Sequence, residues 1–203
     1  MTNAELPFAF GVAGQLGFNH SNKDTVNTLD TPSDDEAARM HLVEGSRHEK
    51  SENWHAAETA YRAAAALGTP DPRVRYYARN NLGYVLVQLG QFDEAVVWCL
   101  KAIAVNPEQY NAHKNLGLAY QGQGLWMKAA WSLLQATCLC PTNARAWQHL
   151  QLLLKARPGL IEQDRELCDG VTKVQAALEE DGYLRMPVEH GCCFRPQEIP
   201  PVQ

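Results

Sequence analysis

Nowhere in this 203-residue chain is there an apolar run of about eighteen residues, the least that crosses a bilayer as a helix, so no membrane-spanning segment is expected. Blocks of five or six like charges are missing too. Basic side chains number 18 against 23 acidic ones, a formal net charge of −5, and a chain with that balance is not built as a whole to neutralise nucleic-acid phosphates. The opening stretch MTNAELPFAFGVAGQLGF lacks the basic start and the long apolar core of a secretory signal. Together these absences predict a cytoplasmic protein with neither membrane nor nucleic acid as partner.

Catalytic motifs are equally scarce. There is no Gly-rich phosphate loop, no nucleophile elbow and no paired-carboxylate motif, so no enzymatic activity is expected. His190, Cys192 and Cys193, with Cys138 and Cys140, are residue types that suit zinc. Their spacing matches no standard finger, and adjacent cysteines are awkward as paired ligands, so neither a metal nor another cofactor is expected. Three of the six cysteines fall in helical segments, where reduced thiols act as small core groups, and no obligatory disulfide is predicted. The histidines, including His41, His48, His55, His113 and His149, read as solvated or groove residues rather than catalysts.

What the sequence does contain is self-similarity. Leu82-Gly83 returns as Leu116-Gly117, Gly90 as Gly124, Ala95 as Ala129, Ala102 as Ala136 and Pro107 as Pro141, each after 34 residues. Each block divides into two amphipathic helices, because a Gly near its middle ends the first and a Pro closes the second. Gly83 and Gly117 remove a side chain where paired helices come closest, the alanines admit the next helix, and Phe92 and Trp126 fill the wedge between blocks. A weaker copy lies upstream at Gly45, Trp54, Ala57, Tyr61 and Ala64. Ala57 and Ala95 are 38 apart, so about four extra residues near 68–72 lengthen the turn or the helix after it.

These residues resemble the tetratricopeptide repeat, whose signature is a Leu-Gly in the first helix, then an aromatic, Ala, a bulky residue, Ala and a closing Pro. The resemblance implies an all-α fold, a right-handed superhelical stack of antiparallel helix pairs with about three repeats plus capping helices. Residues 1–32 are expected to form a poorly ordered arm, and 33–157 the repeat domain, with repeats at about 38–71, 76–109 and 110–143 and a half repeat at 144–157. Ser33 and Glu36 make a capping box at its start. A capping helix within 158–182, roughly 161–180, turns Ile161, Leu167, Val171, Val174 and Leu178 inward, and 183–203 form an extended tail.

In the family the first helix of each repeat lines a concave groove. The matching positions are Asn80 and Asn81, Lys114 and Asn115, and Gln148 and His149, flanked by Tyr77, Tyr84, Asn111, Leu118, Arg145 and Leu152. An Asn offers one acceptor and two donors, so Asn81 and Asn115 suit the backbone of an extended peptide whatever its sequence. A few such bonds suit micromolar affinity, near −8 kcal/mol by order of magnitude. Members that clamp a C-terminal carboxylate use Lys and Asn, then Asn, then Lys and Arg. Here those places hold Asn80 and Tyr84, Asn115, and Arg145 with His149, which keep the central Asn and one cation. Lys114 and Arg145 still attract an acidic ligand.

The resemblance thus implies a scaffold, adaptor or chaperone-like module that binds a protein or peptide segment, acidic or extended, in its groove. A self-assembling homo-oligomer and a non-catalytic regulatory subunit of a separate enzyme are the alternatives. Trp54, Trp126 and Trp147 are expected to be structural, and Trp98 and Trp131 mark a second, convex surface only if exposed.

Overall fold

The computed structural model describes residues 32–181. The expected arm before them and the tail after them, with His190, Cys192 and Cys193, lie outside the described residues. Within those residues all regular structure is helical: α1 (Asp34–Lys50), α2 (Trp54–Ala66), α3 (Pro72–Gln88), α4 (Phe92–Val105), α5 (Tyr110–Gly122), α6 (Trp126–Leu139), α7 (Ala144–Ala156), α8 (Gly159–Gln163) and α9 (Arg165–Asp181). The helices α1 to α6 pack as consecutive antiparallel pairs. First helices also touch one another, α1 with α3 and α3 with α5, and so form the inner layer of the stack.

Local chemistry sets the ends. Ser33 Oγ accepts from the Glu36 amide at 3.2 Å, and acidic residues Asp34 to Glu36 open α1 while Arg47, His48 and Lys50 close it, which suits the helix dipole at both ends. Between α3 and α4, and between α5 and α6, the chain turns through left-handed glycines, Gly90 at φ 72° and Gly124 at φ 75°. Between α1 and α2 the equivalent residue is Glu52, at φ 55°. A left-handed backbone crowds Cβ against the next carbonyl and costs about 1–2 kcal/mol for most residues. Repeat one therefore holds a glutamate against local preference.

Size complementarity makes the pairs. A Cβ at Gly83 would stand 2.7 Å from Cys99 Sγ, and one at Gly117 would stand 2.7 Å from Leu133 Cγ, so a side chain of the second helix fills the space in each case. Between repeats the wedge residue Phe92 lies against Gly122, and Trp126 lies under the Arg157 guanidinium at 4.5 Å. Leu82, Leu116, Leu133, Leu150 and Leu167 are shut off from solvent, each contributing about 1.5–3 kcal/mol.

The extra residues after repeat one become one more helical turn. α3 has 17 residues where α5 has 13, because Asp71 caps it early and Pro72 takes a first position where a missing N–H is no loss. The loop before it is tied down. Thr69, only 2% exposed, donates its hydroxyl to Asp35, and Arg75 donates to the carbonyls of Thr69 and Pro70 at 3.0 and 2.8 Å.

At the other end the single helix expected over roughly 161–180 is broken into α8 and α9. Asp164 is the cause: its carboxylate accepts from the Leu167 amide at 3.0 Å and so starts a new helix. Leu167 and Val174 are buried as expected, with Ile161, Val171 and Leu178 packed beside them, and α9 lies on α6. Asp164 also accepts from Trp131 Nε1 at 3.0 Å, and Trp98 Nε1 donates to Glu94 at 3.0 Å. Both indoles are half-buried and engaged, so they serve as structure. Glu94 also receives both Arg62 terminal nitrogens at 2.6 Å, which joins repeats one and two on that side and pulls its carboxyl down to about 2.

Candidate functional site

The inner layer brings together three sets of side chains: Tyr77, Asn80, Asn81 and Tyr84 on α3; Asn111, Lys114, Asn115 and Leu118 on α5; and Arg145, Gln148 and His149 on α7. They are not equally open. Tyr77, Arg145 and Gln148 are exposed, and Leu152 on α7 is 65% exposed. Asn81, Tyr84, Asn111, Lys114, Leu118 and His149 are half-buried.

Asn80 and Asn115 are 6% and 2% exposed, and they spend their amides on each other instead of presenting them to solvent. Asn115 Nδ2 donates to Asn80 Oδ1 at 3.1 Å, and Asn80 Nδ2 donates to Asn81 Oδ1 at 3.0 Å. The Asn81 amide in turn donates toward the Tyr61 oxygen, whose hydroxyl donates to Glu49 Oε2 at 2.7 Å. Every donor in this relay points the same way, from α5 toward α1, an arrangement in which successive bonds polarise one another. The amides thus make the floor that joins repeats, and Asn115 Oδ1 is buried with no hydrogen-bond partner.

Above that floor lies a group of cations. Lys114 and Arg145 make no ion pair among the described residues, whereas Arg39 and Arg62 do. Burial pushes the Lys114 amine below the ordinary lysine range, and the nearby Arg145 charge adds to the effect. Burial, then Lys114, does the same to His149, so its imidazole is neutral at pH 7. Lys114 Nζ sits 5.8 Å from the Tyr84 ring centroid, and Trp54 meets that ring edge-on at 6.1 Å. Burial raises the Tyr84 hydroxyl's pKa, the Glu49 and Glu52 carboxylates add to the rise, and Arg145 opposes it.

His113, read from the sequence as solvated or groove-lining, is instead 1% exposed. Its Nε2 faces the Pro107 carbonyl at 2.8 Å while Nδ1 is buried without a partner, and burial lowers its pKa. Glu49 and Glu52 escaped the sequence reading altogether. The available signal was the alignment of Glu52 with Gly90 and Gly124, a charged residue where the repeat asks for none. Among the described residues no group of three or more His, Cys, Asp or Glu side chains is placed to hold a metal ion.

Stacked helix pairs around a lined inner face define a helical-repeat module for protein–protein interaction. Residues 83–124 match the family model for the TPR repeat, and the helix pairs of the described residues resemble those of tetratricopeptide-repeat proteins. It is similar to the Arabidopsis OM64 TPR domain, with a TM-score of 0.55 and 23% identity over 61% of this chain and 98% of that one. It is also similar to the first TPR of Spaghetti (RPAP3) bound to the HSP90 peptide SRMEEVD, with a TM-score of 0.54 and 20% identity over 61% and 95%. MamA from Desulfovibrio magneticus RS-1 matches with a TM-score of 0.55 and 21% identity over 71% and 77%. These likenesses concern the fold. A curated relative, Protein O-mannosyl-transferase Tmtc3 of Drosophila melanogaster, is 21% identical over 137 residues, 68% of this chain but only 14% of its own length.

Proposed function

We propose that the inner face of α3, α5 and α7 binds an acidic, partly apolar segment of another protein, and that the chain works as an adaptor without catalysing a reaction. One observation carries this reading: Lys114 is partly desolvated on the inner face within reach of the Arg145 charge, and neither has a carboxylate paired with it among the described residues. Holding the Lys114 charge partly out of water near a like charge is unfavourable, and an incoming anion relieves it. Leu118 and the exposed Leu152 beside them offer apolar surface for the same ligand. The acidic peptide held by the Spaghetti TPR domain supports the choice of ligand class.

The test uses capped heptapeptides with two adjacent glutamates beside a leucine, and the same peptides with glutamines. Charge-assisted hydrogen bonds contribute about 1.5–3 kcal/mol each, so the full chain should prefer the glutamate peptide by at least about tenfold. The preference should vanish in a Lys114→Met, Arg145→Met double variant. Equal affinity of the wild type for the two peptides overturns the reading. Self-association is the second reading, favoured by Met40 and Val43, 61% and 71% exposed on one side of α1. A mass independent of concentration removes it.

A further inference from the structure

We infer that the groove is charge-polarised and takes a segment carrying a cation ahead of, or behind, its acidic residues, with Glu49 and Glu52 receiving the cation. The inference rests on the acidic-ligand reading above and adds the other half of the ligand.

Glu49 lies at the end of the amide relay. Its Oε2 is held by the Tyr61 hydroxyl at 2.7 Å, which fixes the carboxylate in place, and it makes no ion pair among the described residues. Lys114 is close enough to feel its charge but does not pair with it. Glu52 stands in the left-handed position that Gly90 and Gly124 fill in the next two repeats, and it too acts on Tyr84. A glutamate here is unfavourable for the turn, so its use lies in where its charge falls. Trp54 and Tyr84, meeting edge-to-face beside these carboxylates, add the aromatic surface on which guanidinium and ammonium groups settle.

Tyr84 is the dividing line. It stands on α3, which packs against α1, the helix of Glu49, and against α5, whose Lys114 Nζ is 5.8 Å from its ring. A ligand laid across Tyr84 therefore meets negative potential over α1 and the turn after it, and positive potential over α5 and α7. A uniformly acidic segment long enough to cross Tyr84 is repelled at one end, whereas one of mixed charge is matched at both.

The experiment compares two capped peptides that share a diglutamate-leucine end and differ only at the far end, one with arginine and one with glutamine. Wild-type full chain should bind the arginine peptide about five- to tenfold more tightly. A Glu49→Gln, Glu52→Gly variant should bind both alike, at the affinity the wild type shows for the glutamine peptide. Circular dichroism and thermal unfolding of that variant check that the stack is intact, and Glu52→Gly alone, which relaxes the turn, should give part of the same loss. Equal binding of the two peptides by the wild type, or a preference that survives in the variant, overturns the polarised groove while leaving the acidic site standing. If neither peptide binds, the acidic-ligand reading itself has failed and this one falls with it.

Discussion

Asn115 Nδ2 donates to Asn80 Oδ1 at 3.1 Å across the boundary between repeats, with Asn115 only 2% exposed. The pair works as a joint, since it links two inner helices through side chains that water barely reaches. Asn115→Ala leaves the Asn80 oxygen buried without its donor, so the variant should lose about 1–3 kcal/mol of stability. Urea unfolding checks it. A loss under about 0.5 kcal/mol, typical of open surface, would mean the amide is free to solvent.

Glu52 offers the opposite case, a residue whose removal should help the fold. Glu52→Gly relieves about 1–2 kcal/mol of left-handed strain and gives back about 0.5–1 kcal/mol in chain entropy, so a net gain of about 0.5–1 kcal/mol is expected. Thermal unfolding should show a higher midpoint. A lower one would show that the carboxylate is anchoring the turn.

His113 predicts a pH dependence. Burial lowers its pKa in the folded chain from the ordinary 6.5, so the unfolded chain takes up the proton first as pH falls. The stability from a neutral His113 is complete above about pH 6.5 and declines from there toward the folded-state value. Urea midpoints between pH 7.5 and 5 should fall in the wild type and fall less in His113→Leu. Parallel curves would remove His113 as the cause.

The stack was legible because its packing is a matter of residue size. Gly83, Gly117, the repeated alanines and the Phe92 and Trp126 wedges recur at one spacing, and the structure sets a side chain against each of the two glycines and buries the alanines completely. The site was legible only as a set of positions. That the amide of Asn115 turns to Asn80 while Lys114 stays unpaired depends on which neighbours fall within reach across repeats, and no single block contains that information. Glu49 is invisible for the same reason, because its partner Tyr61 lies on the other helix of the pair. The break at Asp164 shows a third limit: one carboxylate able to cap restarted a helix whose apolar period ran straight through it.

Gly117 tests the steric argument. A Cβ there meets Leu133 Cγ at 2.7 Å and the Ala129 carbonyl at 3.2 Å, and the backbone oxygen has little freedom to move. Gly117→Ala should therefore lower stability by about 1–3 kcal/mol in spite of alanine's better helix propensity. A stabilised variant would show that α5 and α6 are less closely apposed.

The most direct test of the groove is to follow backbone amide shifts of the full chain during titration with a diglutamate-leucine peptide. The account predicts that the largest changes fall on α3, α5 and α7 around Tyr84, Lys114, Leu118, Arg145 and His149, and weaken as salt is added. Changes centred on α2, α4 and α6, around Arg62 and Val97, would contradict it.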